Sequence, residues 1–98
     1  MRFNKEEILN YKQKVLEDNA YLLNAIGENP GYQRLLRERS HYPADLLYAE
    51  AKGIMDAIAR GEIKQEAIFP ATQLAIASLE AIQLDKYEYI NNELIRRK

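Results

Sequence analysis

The sequence predicts an all-α fold, a small antiparallel bundle of about four helices in which the first and last are long and the second is short. Three observations carry this. Apolar side chains recur at spacings of three, four and seven residues along most of the chain. Residues suited to helix ends and turns separate those stretches. No run reads as an alternating strand between turn signals, and Val and Thr occur once each. Four helices with short connections favour antiparallel neighbours, and 98 residues suit one domain spanning 1–98.

The first helix is expected over residues 5–26. Asn4 and Glu7 have the spacing of a capping box. Ile8, Leu9, Tyr11, Val15, Leu16, Leu22, Leu23 and Ile26 form its apolar stripe, with Lys12, Lys14, Glu17 and Asp18 mostly on the other face. Gly27 stands where a left-handed terminal residue belongs. Glu28-Asn29-Pro30-Gly31 reads as a turn, followed by a short helix over about 32–40 that turns Leu35 and Leu36 inward.

Ser40-His41-Tyr42-Pro43 ends that helix, because the residue before Pro avoids the helical region. Pro43 suits the first position of the next helix. Leu46, Leu47, Ala51, Ile54, Met55 and Ile58 line one side of it, and Gly61 ends it. Gly53, inside this helix, is unfavourable relative to Ala and suggests that another helix passes close. Residues 62–69 fit one helical turn or two, and Pro70 closes the segment or opens the next. Asp85 and Glu88 have the spacing to divide the remainder near residue 84. Ile76, Leu79, Tyr87, Ile90 and Leu94 nevertheless keep one phase, so a single helix over about 71–96 is expected.

Composition narrows the function classes. With 14 basic and 15 acidic side chains the net charge is −1, so no global field draws the chain to nucleic acid. Without cysteine there are no disulfides, thiol nucleophiles or thiolate metal ligands. No apolar stretch approaches the roughly 20 residues of a membrane span, and Met1 to Glu7 is too charged for a signal peptide. A cytoplasmic protein with no membrane partner is expected.

Chemistry has few footholds. His41 is the single histidine, and Glu38 stands three residues before it, one half of the pairing that a helical di-metal site uses. No second half exists, so no metal or other cofactor is expected. Ser40 and Ser78 lack the Gly-flanked turn that exposes a nucleophile. The four glycines are isolated and build no phosphate loop. Acidic residues fall into exposed pairs such as Asp56/Arg60 and Glu93/Arg97. The chain is therefore expected not to be an enzyme.

Two biases remain. Tyr32, Arg34, Arg37, Arg39, His41 and Tyr42 crowd one stretch, with Arg34, Arg37 and His41 sharing a helix face. Clustered guanidiniums suit phosphate or carboxylate groups, and tyrosine can stack on bases. Seven tyrosines against two phenylalanines is the second bias. Tyrosine is enriched in protein interfaces, although it also rims helical cores. The expectation is a non-catalytic, self-associating interaction or regulatory module, with a protein partner or a homo-oligomer. The alternative is a nucleic-acid or anion-binding regulator using Arg34, Arg37 and Arg39.

Overall fold

The computed structural model describes residues 3–83 and the backbone of 87–90 and 93–96. Five α-helices pack against one another, one more than expected: α1 (Lys5–Asp18), α2 (Ala20–Glu28), α3 (Pro30–Arg39), α4 (Ala44–Ala59) and α5 (Ile68–Ala81). A single 3₁₀ turn, Gln65–Ala67, leads into α5. Strands β1 (Tyr87–Ile90) and β2 (Glu93–Arg96) pair antiparallel, with Tyr87 opposite Arg96 and Ile90 opposite Glu93. No helix among the described residues is long and apolar enough to cross a membrane.

α5 organises the rest. It is apolar nearly all round, with Thr72, Gln73, Ala75, Ile76, Ala77, Ser78, Leu79 and Ala81 all buried. Phe69, Pro70 and Glu80 near its ends are exposed, but the stretch between them has no solvent face and must be covered by neighbours. α1, α3 and α4 pack against it. Its alanines and Ser78 are small, which lets those helices approach. Ile8 and Val15 from α1, Ile26 from α2, Tyr32 from α3, and Leu47, Tyr48 and Ala51 from α4 complete the core.

Several ends follow the expected chemistry. Asn4 caps α1, its Oδ1 accepting from Glu7 N at 2.7 Å while its Nδ2 donates to Glu7 Oε1 at 3.3 Å. Gly61 ends α4 at φ +72°, and the Gly61 and Glu62 amides donate to the Ile58 and Ala57 carbonyls. This crossed pair is the Schellman arrangement, which needs a left-handed residue at that place.

Other expectations are corrected. The stretch 5–26 is two helices, broken at Asn19 (φ −113°, ψ 20°), whose own Nδ2 donates back to the Val15 carbonyl at 2.8 Å. A side-chain amide competing for a helical carbonyl loosens the backbone there. Gly27 lies inside α2, and among the described residues Gly61 is the glycine with positive φ. The expected turn at 28–31 is already helix from Pro30, because Asn29 serves as N-cap and accepts from Gly31 N at 2.9 Å. Pro43 precedes α4 as its extended N-cap instead of opening it.

The single helix over 71–96 is also corrected. α5 begins earlier, at Ile68, takes Pro70 into its first turn where no amide partner is lost, and ends at Ala81. Residues 87–90 and 93–96 form the antiparallel pair β1–β2, whose second strand lies beside α4. The proposed capping box at Asp85/Glu88 and the pair Glu93/Arg97 lie outside the described side chains.

Gly53 is corrected too: it is exposed, and a Cβ built on it meets nothing within 4 Å. Gly53→Ala should therefore stabilise the fold by about 1 kcal/mol, the ordinary gain for a helix interior. Gly61→Ala, forcing a side chain into the left-handed region, should destabilise it by about 1–2 kcal/mol. Urea denaturation followed by circular dichroism measures both, and the two midpoints should move in opposite directions.

Candidate functional site

The basic stretch divides between surface and interior. Arg34, Arg37 and His41 are exposed on one face of α3 and the turn after it. Among the described residues Arg34 and Arg37 enter no ion pair. Tyr42 is also exposed, whereas Tyr32 is buried in the core. Three candidates thus share a face, and Tyr32 is not on it. Glu38 is exposed beside them and dilutes the positive charge.

Arg39 points elsewhere. Five residues after Arg34, it stands about 140° further round the helix. Its side chain is 14% exposed and pairs with Glu50 of α4, Nη2 to Oε1 at 3.0 Å. Its Nε donates to Ser78 Oγ of α5 at 3.1 Å, and Ser78 Oγ in turn donates to the Leu74 carbonyl at 3.0 Å. One guanidinium therefore ties three helices and satisfies a fully buried hydroxyl. Its fork geometry suits two such bonds at once.

The tyrosines divide likewise. Tyr48 stacks edge-on against Phe3 (centroids 4.3 Å apart) and against Tyr11 (5.1 Å), a favoured aromatic geometry. Burial pushes the Tyr11 phenol up to about 12, assisted by the negative charge of Asp56 and by Tyr48. Burial does the same for Tyr32, to about 12, with Glu80 adding to it. The Tyr48 phenol is also raised, by burial first and then by Glu7 and Asp56. Asp56 thus faces the aromatic cluster, and Arg60 pairs with Glu62 instead of with Asp56 as expected. Tyr21, off the inward stripe, is 78% exposed.

Sequence reasoning passed over a groove along the outer side of α1 and the first residue of α2. Leu9, Lys12, Gln13, Leu16, Glu17 and Ala20 line it. Leu9 is 46% exposed and Leu16 half-buried. Two side chains on its rim are already held: Lys12 Nζ donates to the Ile82 carbonyl at 3.1 Å, and Gln13 Nε2 donates to Glu17 Oε1 at 3.0 Å. Lys12 so answers one of the open carbonyls at the end of α5 with a positive charge. The signal for this groove was in the sequence, as the adjacent pairs Ile8-Leu9 and Val15-Leu16.

Among the described residues no three of His, Asp and Glu gather as metal ligands would. No protein-family model, curated protein or solved structure matches the chain.

Two outcomes follow from these contacts. Ser78→Ala, which leaves the Arg39 Nε–H without its buried acceptor, should destabilise the fold by about 1–3 kcal/mol in urea denaturation. The phenols of Tyr11 and Tyr32 ionise above the ordinary value of 10.0 when folded. The stability they contribute is therefore complete below pH 10 and lost as pH rises from 10 towards 12. Phenolate absorbance should show two groups titrating near 12, with a falling melting temperature over that interval.

Proposed function

We propose that this protein is a non-catalytic interaction module that works by self-association. The observation that carries this reading is the groove on α1, where Leu9 stands exposed and Leu16, which packs against the core, is only half-buried. An apolar strip with a polar rim is the kind of surface that marks a protein contact. The core tyrosines do not add to it, since Tyr11, Tyr32 and Tyr48 are engaged within the fold. Helical burial needs none of the catalytic arrangements that the sequence lacks, and the reading assigns no cofactor.

The second reading, an anion or nucleic-acid binder, is favoured by the exposed guanidiniums of Arg34 and Arg37, which make no ion pair among the described residues. It stands behind the first because Arg39 is engaged internally and Glu38 lies beside the face. A patch of two guanidiniums contributes a small electrostatic attraction to a polyanion.

One pair of measurements separates them. Sedimentation equilibrium from micromolar to millimolar protein should show a concentration-dependent dimer. Binding to single- and double-stranded oligonucleotides at low salt should be absent. A chain that stays monomeric throughout, yet binds DNA or RNA in a salt-sensitive way lost in Arg34→Ala/Arg37→Ala, would reverse the order of the two readings.

A further inference from the structure

We draw no further inference here: the strongest candidate, the outward ridge of α4 on which Leu46, Ala49 and Gly53 stand exposed with no charged side chain among them, carries nothing because nothing in the structure shows what covers it.

Discussion

The burial of the middle of α5 on all sides is the constraint from which the rest of the architecture follows. A helix that is apolar on one face can rest on a single partner, but this one leaves Ala75, Ile76, Ala77, Ser78 and Leu79 without water on any side. It therefore needs α1, α3 and α4 around it, and each of those needs one apolar stripe turned towards it. The close approach that its alanines allow also removes water from Ser78. A buried hydroxyl has to find partners, and the Arg39 guanidinium, reaching across from α3 and anchored by Glu50, is the group that answers it. The polar tie among three helices is thus a consequence of the apolar packing and not an independent feature beside it.

What could be read in the sequence was what local chemistry decides. The Asn4 cap, the left-handed Gly61 and the inward stripe of Ile8, Val15 and Ile26 each depend on residues within a few positions of one another. The break at Asn19 was not legible because no Pro or Gly marks it, and the apolar phase runs on through it. Periodicity also misled at the C-terminal end. Tyr87, Ile90 and Leu94 satisfy a helical spacing, and Tyr87-Glu88-Tyr89-Ile90 alternates over its first three residues alone, so no local pattern marked the strands and their pairing decides them.

The candidate site was partly legible for a similar reason. Counting arginines within a short stretch put Arg34, Arg37 and Arg39 together, but a helix turns residue 39 away from the other two. A buried serine thirty-nine positions later then claimed it. Surplus tyrosine was likewise ambiguous: an aromatic ring with a polar tip suits both an interface and the margin of a core. Neighbours from other helices decided it, as when Phe3 and Tyr11 closed around Tyr48. No spacing rule within one helix contains that information.

The groove on α1 shows where a stripe can hold more than one message. Ile8 and Leu9 are adjacent, as are Val15 and Leu16, so each pair spreads about 100° around the helix. Counted together they read as one wide apolar stripe, which a single packing direction would explain. The structure separates them, placing Ile8 and Val15 at 0% and 5% exposure while Leu9 remains at 46%. α5 alone covers only part of so wide an arc, so Ile8 and Val15 turn inward while Leu9 stands at the surface. Leu16 is half-buried against the core and Lys12 closes on the Ile82 carbonyl, so much of the outer side is engaged by the fold as well, and Leu9 is the large apolar side chain of this helix that it leaves exposed.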